Sequence, residues 1–174
     1  HIFRLEKNHG LGYALKTGIL LCRNDLIARM DSDDISMPNR CEKQLNEFKA
    51  NDKLSVLGTY VVEFSDKNNK KNKLKKVALD FEKIKKKMKY RNQINHPSVM
   101  FKKYDVLKAG NYQDLYLNED YYLWIRMLNK GYIIKNIEQP LVKMRVSSNF
   151  YKRRGGIKYY LKHIRVYLYM LKKG

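Results

Sequence analysis

The 174-residue sequence contains little of several residue types, and each shortage excludes a class of protein. Two cysteines, Cys22 and Cys41, are too few for a disulfide framework and lack the spacing of a zinc site. Both are predicted to be reduced thiols in the core of a cytosolic protein. Three prolines and nine glycines are too few for a collagen-like chain or a proline-rich linker.

Long apolar runs are also missing from the sequence. No stretch approaches the roughly 18 consecutive apolar residues of a transmembrane helix. The chain begins at His1, and nothing near it resembles a signal peptide, which needs a basic start, an apolar middle and a cleavage site. A composition of 44% hydrophobic and 12% aromatic residues still suffices for one buried core. We therefore expect a piece of a cytoplasmic protein whose beginning lies outside these residues.

Acidic residues are scarce in the later part of the chain. Residues 1–60 contain nine Lys and Arg against eight Asp and Glu, whereas residues 61–174 contain 28 against nine. Most of this excess lies in two blocks, 67–91 and 143–173. Such a field favours polyanions, namely phosphates, anionic lipid or nucleic acid. A lysine-rich composition that serves no partner is the alternative interpretation.

The most informative stretch is 26–34. Its mostly apolar first part predicts a buried strand, which ends at Asp31, Asp33 and Asp34. Open α/β sheets bind ligands beyond the carboxyl ends of their strands. Three neighbouring carboxylates repel one another, and their hard oxygen atoms suit Mg²⁺ or Mn²⁺. Two aspartates separated by one residue (D-x-D), here Asp31 and Asp33, are also typical of haloacid-dehalogenase-type phosphatases. In those enzymes Asp31 would be the nucleophile and Asp33 the acid/base.

Periodicity predicts strands and helices that alternate along the chain, which makes the fold class α/β. Strands are predicted at 2–5, 26–30, 54–64, 98–101, 132–137 and 141–146. Helices are predicted after the turn at 8–12, over 37–50 with Ser36 as N-cap, around 81–88 and 106–107, from 119 to 131, and over 157–172. In the helix over 37–50, Cys41, Leu45 and Phe48 should form the apolar face.

Gly10 and Gly12 precede a predicted helix. A glycine-rich turn of this kind can bind phosphate through its free backbone N–H groups. Two glycines alone are also common in plain turns, which is the alternative.

Several motifs occur in one order along the chain. They are Asn8-x-Gly10-x-Gly12, Ala28-Arg29-Met30-Asp31-Ser32-Asp33-Asp34, Asn95-His96-Pro97-Ser98-Val99-Met100-Phe101 and Asn118-Glu119-Asp120-Tyr121-Tyr122-Leu123-Trp124. In this order they closely resemble family 2 glycosyltransferases, which have the Rossmann-like GT-A fold of nucleotide-diphospho-sugar transferases. The resemblance covers about residues 1–146. It implies a mixed sheet flanked by helices, lacking the first strands, in a partial GT-A domain at 1–150 that is followed by a basic amphipathic helix at 151–174.

The resemblance also implies which residues bind the donor. Asp31 and Asp33 would lie at the donor diphosphate and its Mn²⁺ or Mg²⁺, and both would be metal ligands. Asp34 would support the loop that carries them. Further donor contacts are implied for Arg29, Lys16 and Arg145, although Lys16 stands where relatives often carry Asn.

The acceptor side of the implied site centres on Asp120. By the resemblance, Asp120 would be the general base that deprotonates the acceptor hydroxyl, with Glu119 beside it. His96 and Tyr112 would line the same cleft. Taken alone, a histidine before a proline more often caps a turn. Trp124 follows the acidic pair and is expected to pack in the core.

The implied function is metal-dependent, inverting transfer of a sugar from a nucleotide-diphosphate donor, a UDP-sugar, to a saccharide or lipid-linked acceptor in cell-surface polysaccharide synthesis. The basic tail helix suits the inner face of a membrane, where lysines meet anionic lipid, or it closes the domain core. Two other functions remain open, an inactive remnant of such an enzyme and a basic polyanion- or membrane-binding protein. No nucleic-acid motif is visible, so nucleic acid is not an expected partner.

Overall fold

Helices and strands alternate in the protein, which confirms the α/β class. The computed structural model describes residues 1–65, 72–115, 117–147, 164 and 166–170. The strands are β1 (Leu26–Ala28), β2 (Ile35–Ser36), β3 (Leu54–Phe64), β4 (Lys73–Lys75), β5 (Met100–Lys102) and β6 (Ile133–Arg145). The helices are α1 (Leu11–Leu21), α2 (Arg40–Ala50), α3 (Phe81–Met88), α4 (Lys103–Lys108) and α5 (Glu119–Asn129).

The strands form one mixed sheet in the order β1-β5-β3-β6-β2, and β4 also pairs with β3. The long strand β3 is its centre. It runs parallel to β6 on one side, and on the other side it is antiparallel to β5 and then to β4. Because β1 is antiparallel to β5, the carboxyl end of β1 meets the amino end of β5 at one edge of the sheet. The loops at this edge carry most of the motifs described above.

Both faces of the sheet are covered by helices. Neighbouring residues of one strand enter different apolar clusters, because side chains alternate across a sheet. Val56 packs in the large cluster with residues of α3, α4 and α5, whereas Leu57 packs in a second cluster with Phe48 of α2. Burial on two faces explains why the strands read as nearly continuous apolar runs.

Helix α2 buries a polar side chain against the sheet. Gln44 is fully buried, and its Nε2 donates to the carbonyl oxygens of Leu57 at 3.0 Å and Ser98 at 2.9 Å. Its Oε1 accepts from Nε of Arg40, another buried residue one turn earlier, at 3.0 Å. The prediction that Cys41 and Leu45 form the buried face is therefore wrong, because both are exposed and only Phe48 of that set is buried.

The predicted strand at 2–5 is absent from the structure. Ile2 is 98% exposed and Phe3 62%, and no described strand pairs with this segment. Extended residues form a strand only when a neighbouring chain satisfies their backbone groups. The predicted strand at 26–30 exists as β1, but it is an edge strand and only half-buried.

The predicted pair of strands at 132–137 and 141–146 is one continuous strand, β6. Pro140 lies opposite Tyr60 of β3, and the register shifts on both sides of Tyr60. A local irregularity of this kind lets a sheet accommodate a residue that has no N–H.

Smaller local predictions also need correction. Ser36 lies in β2, and the N-cap of α2 is Asn39. The short strands β2 and β4 were not predicted, since two or three residues carry too little periodicity. Both cysteines are free, as expected, but Cys22 is half-buried and Cys41 exposed, so Cys41 is not a core thiol.

The predicted tail helix at 157–172 lies mostly outside the described residues. Residues 164 and 166–170 are helical, and Val166 is fully buried in the large apolar cluster. Tyr169 makes an edge-on ring contact with Tyr122 of α5 at 5.1 Å between centroids. These contacts favour the alternative in which the helix closes the core. Among the described residues, no helix combines the length and the apolar character needed to cross a bilayer.

We expect Gln44→Ala to lower the free energy of unfolding by about 2–4 kcal/mol, because two buried carbonyl oxygens and Arg40 lose their partner. Urea titration of the purified protein measures this change. Asn46→Ala, an exposed position on the same helix, should change stability by less than about 0.5 kcal/mol. Equal stability of the two variants would contradict the role given to Gln44.

Candidate active site

The acidic residues Asp31, Asp33 and Asp34 lie in the turn between β1 and β2. The turn is closed by a hydrogen bond from the Asp34 N–H to the Asp31 carbonyl oxygen at 3.2 Å. The three carboxylates have different surroundings: Asp31 is half-buried, Asp33 exposed and Asp34 buried. Because their exposure differs, the three carboxylates also differ in how available they are to a ligand.

Asp31 is paired with Arg29. Both terminal nitrogens of the buried guanidinium donate to the two carboxylate oxygens, one of them at 2.9 Å and the other in a shorter ion pair. This two-point contact neutralises Asp31 and fixes its plane. Arg29 is predicted to bind the donor, and in the structure its guanidinium contacts the acidic turn through Asp31.

Asp34 is bound to the end of β6. Its Oδ1 accepts from the Arg145 N–H at 2.8 Å, and Nε of Arg145 donates to the Asp33 carbonyl oxygen at 2.9 Å. The Arg145 guanidinium also lies over the Phe64 ring at 4.6 Å. Burial raises the pKa of Asp34, and the bond from Arg145 partly opposes this. In the structure, Arg145 positions the acidic turn.

Asp33 has the carboxylate that is most available to a ligand. Its side chain is exposed, and within the described residues no hydrogen bond or ion pair involves its carboxylate oxygens. Nearby, Oδ2 of Asp34 is buried and has no partner among these residues. Both carboxylates offer hard oxygen atoms, the ligand type that suits Mg²⁺ or Mn²⁺.

A cation at Asp33 would need further ligands. Among the described residues, no three His, Cys, Asp or Glu side chains come together as a cation site. Mg²⁺ is commonly held by one or two carboxylates together with substrate phosphates. The residues present fit that type of site, in which phosphate oxygens of a bound ligand would supply the remaining ligands.

The second acidic pair, Glu119 and Asp120, forms the first turn of α5. Glu119 is buried, and burial raises its pKa, with Asp120 adding to the effect. Gly12 packs closely here: a Cβ at that position would lie 3.1 Å from Cγ of Glu119 and 3.1 Å from the Gln113 carbonyl oxygen. The glycine turn is thus packed against the start of α5, which explains Gly12 without a phosphate.

Asp120 is half-buried beside the loop that follows α3. Its Oδ2 accepts a hydrogen bond from Nδ2 of Asn92 at 2.8 Å. Asn92 was not singled out in the sequence, because it lies outside the acidic motif and 28 positions from Asp120.

His96 and Tyr112 form a pair between the two acidic regions. Nε2 of His96 lies 2.7 Å from the Tyr112 hydroxyl, and both rings contact Trp124 of α5. His96 belongs to a short 3₁₀ helix, His96–Ser98. Trp124 is fully buried, as expected for a core residue.

Burial dominates the electrostatics of this pair. Burial lowers the pKa of His96 well below its ordinary value, and Arg29 adds to the effect, so the imidazole is neutral. Burial also raises the pKa of Tyr112; Asp120 acts in the same direction and Arg29 opposes it. The backbone joins the acidic turn to this pair, because the Arg29 N–H donates to the carbonyl oxygen of Val99, three residues after His96, at 2.9 Å.

Lys16 stands apart from the predicted donor residues. It lies on the exposed side of α1, and its carbonyl oxygen accepts from Nδ2 of Asn111 at 3.2 Å. No described contact joins its ammonium group to the acidic turn.

Arg40 also belongs to this region, and the sequence did not reveal that it is buried. Its guanidinium is buried and donates to the carbonyl oxygens of Arg29 at 2.7 Å and Val99 at 3.1 Å. Arg40 therefore joins the strand before the acidic turn to the segment after His96.

Comparison with known proteins identifies the family of the chain. Residues 1–109 match the model of the family described as Glycosyl transferase family 2. The chain is 44% identical over 163 residues to the UDP-Gal:alpha-D-GlcNAc-diphosphoundecaprenol beta-1,3-galactosyltransferase of Escherichia coli, covering 94% of this chain and 59% of that protein. It is 36% identical over 166 residues to the amylovoran biosynthesis glycosyltransferase AmsE of Erwinia amylovora, covering 95% and 62%. The chain thus spans about three fifths of these relatives.

Solved structures show the same fold. The crystal structure of S. aureus TarS 1–349 in complex with UDP-GlcNAc matches with a TM-score of 0.68 at 11% identity, covering 93% of this chain and 47% of that chain. A second crystal structure of S. aureus TarS 1–349 matches with a TM-score of 0.60 at 12% identity, covering 94% of this chain and 52% of that chain. This likeness confirms the predicted GT-A fold over part of the domain. With its family model matched over more than half its length and relatives at 44% and 36% identity, the chain belongs to glycosyltransferase family 2.

Proposed function

We propose that this protein transfers a hexosyl group from a UDP-sugar to a hydroxyl of a lipid-diphosphate-linked saccharide, with inversion at the anomeric carbon. The E. coli relative supports both substrate classes, because its name gives a UDP-Gal donor and a diphosphoundecaprenol-linked acceptor. The TarS structure supports the donor class, since it contains UDP-GlcNAc. Contact of the tail helix with a membrane stays a prediction.

The observation that carries this proposal is the arrangement of two acidic regions about the pair of His96 and Tyr112. On one side, the strand before the acidic turn is bound to the segment after His96, because the Arg29 N–H donates to the Val99 carbonyl oxygen at 2.9 Å. On the other side, Asp120 accepts a hydrogen bond from Asn92, four residues before His96. Sugar transfer needs two different functions, stabilisation of a leaving diphosphate and removal of a proton from the acceptor. The two regions would divide these functions.

The acceptor region would carry out the proton transfer. Asp120 takes the proton of the acceptor hydroxyl while the hydroxyl oxygen forms a bond to the anomeric carbon. The bond from that carbon to the diphosphate oxygen breaks, and its electron pair leaves with UDP. A positioned base typically contributes about 10²–10⁴ in rate. One displacement of this kind inverts the anomeric centre.

The donor region would hold the diphosphate. Asp33 is the residue proposed to bind Mn²⁺ or Mg²⁺, and when bound the cation would neutralise charge that develops on the leaving diphosphate. Asp31 and Arg29 form a neutral pair beside it, and Arg145 keeps the turn in position through Asp34. Direct donor contacts from Arg29, Lys16 and Arg145 remain predictions.

Asp33→Asn should weaken binding of UDP in the presence of MnCl₂ by at least tenfold, because the exposed carboxylate is the proposed link between cation and protein. Isothermal titration of the purified protein with UDP, with MnCl₂ and then with EDTA, measures this effect. Asp25→Asn, an exposed aspartate before the opposite end of β1, is the matched control and should bind UDP normally. Unchanged manganese-dependent binding in Asp33→Asn would exclude the assignment.

Asp120→Asn should lower kcat by about 100-fold or more and leave UDP binding unchanged, because only the base is lost. The assay follows UDP release from UDP-galactose with a GlcNAc-diphosphate-lipid acceptor, the substrate pair of the E. coli relative. Asp105→Asn on α4 is the control and should keep normal activity. Wild-type turnover in Asp120→Asn would disprove the general-base role.

A further inference from the structure

Asn92 has both ends of its side-chain amide bound. It lies in the loop between α3 and the 3₁₀ helix His96–Ser98 and is half-buried. Its Nδ2 donates to Oδ2 of Asp120 at 2.8 Å, and its Oδ1 accepts from the Ile94 N–H at 3.0 Å. One short side chain thus connects its own loop to the first turn of α5.

The two partners of Asn92 determine which way its amide faces. The Ile94 N–H can only donate, so the amide oxygen must face it. The Asp120 carboxylate, when ionised, can only accept, so the amide nitrogen must face Asp120. Both requirements are met by one orientation, and a flipped amide would lose both hydrogen bonds.

The loop that carries Asn92 is held in place on both sides of it. Ile94 is buried in the large apolar cluster. Oε1 of Gln93 accepts from the Ala78 N–H at 3.2 Å, and the Gln93 carbonyl oxygen accepts from Nδ2 of Asn136 at 3.0 Å. The donor to Asp120 therefore projects from backbone that is tied to β6 and to the segment before α3.

We propose that Asn92 is a positioning residue for the general base, holding the Asp120 carboxylate in the plane from which it takes the acceptor proton. This inference rests on the proposed function, because it needs Asp120 as the base. A carboxylate on the first turn of a helix can rotate about its side-chain bonds, and a hydrogen bond to one oxygen restricts that rotation. A misplaced catalytic group can cost about 100-fold in rate.

Two substitutions separate this role from a structural role in the loop. Asn92→Asp keeps an oxygen that accepts from the Ile94 N–H but replaces the donor with a second carboxylate facing Asp120. Asn92→Ala removes both bonds. Asn51→Ala is the matched control, because Oδ1 of Asn51 accepts from the Lys53 N–H at 3.0 Å in the same two-residue pattern, and no carboxylate of the described residues binds Asn51.

We expect both Asn92 variants to lower kcat by roughly 10- to 100-fold, while KM for UDP-galactose stays within about twofold. Asn92→Asp should unfold at nearly the wild-type temperature, and Asn51→Ala should have normal turnover. The assay is the release of UDP with UDP-galactose and the GlcNAc-diphosphate-lipid acceptor. Normal kcat in Asn92→Asp, or a change in KM alone, would overturn the proposal and leave the base assignment intact.

Comparison with Asp120→Asn distinguishes failure of the proposed function from failure of the role proposed for Asn92. If Asp120→Asn keeps wild-type turnover, the proposed function and the role of Asn92 both fail. If Asp120→Asn is impaired and Asn92→Asp is fully active, only the role of Asn92 fails. If both are impaired with unchanged UDP binding, Asn92 acts through the base.

Discussion

The fold depends on a buried polar contact, the Arg40–Gln44 pair of α2. Where β1, β3 and the His96–Ser98 turn diverge, carbonyl oxygens of Arg29, Leu57, Ser98 and Val99 accept hydrogen bonds from these two side chains. An unpaired buried carbonyl costs free energy, so the hydrogen-bond donors of α2 stabilise the sheet where its strands separate. Burial of the guanidinium also lowers the pKa of Arg40, because desolvation disfavours its charged form. This edge of the sheet is thus built around a charged side chain inside the core.

Much of the fold could be predicted from local patterns. Periodicity identified β3, α2, α3 and α5, and the end of an apolar run identified the acidic turn. Local patterns failed where a distant partner decides the outcome. Cys41 and Leu45 were expected to be buried, but the carbonyl oxygens of the sheet select polar side chains on the adjacent face of α2. Pro140 suggested a break in β6, but an irregularity opposite Tyr60 allows the strand to continue.

The candidate site was likewise predictable only in part from the sequence. Its acidic residues and His96 stood out by type and order, so the sequence was enough to find them. What each carboxylate contacts was not predictable, because Arg29 neutralises Asp31, Arg145 binds Asp34, and Asn92 binds Asp120. These partners have no distinctive spacing. These partners meet only in the folded protein, so the sequence alone could not show that similar carboxylates have different partners.

The hydrogen bond between Asp34 and Arg145 joins residues 111 positions apart. A contact of such long range forms only after the loop between its ends has closed, and pairing of this kind is slow to form. During synthesis the acidic turn emerges before β6, so its bond to Arg145 cannot form until β6 has been made. The acidic turn therefore acquires this contact only after the last strand of the described sheet has been synthesised.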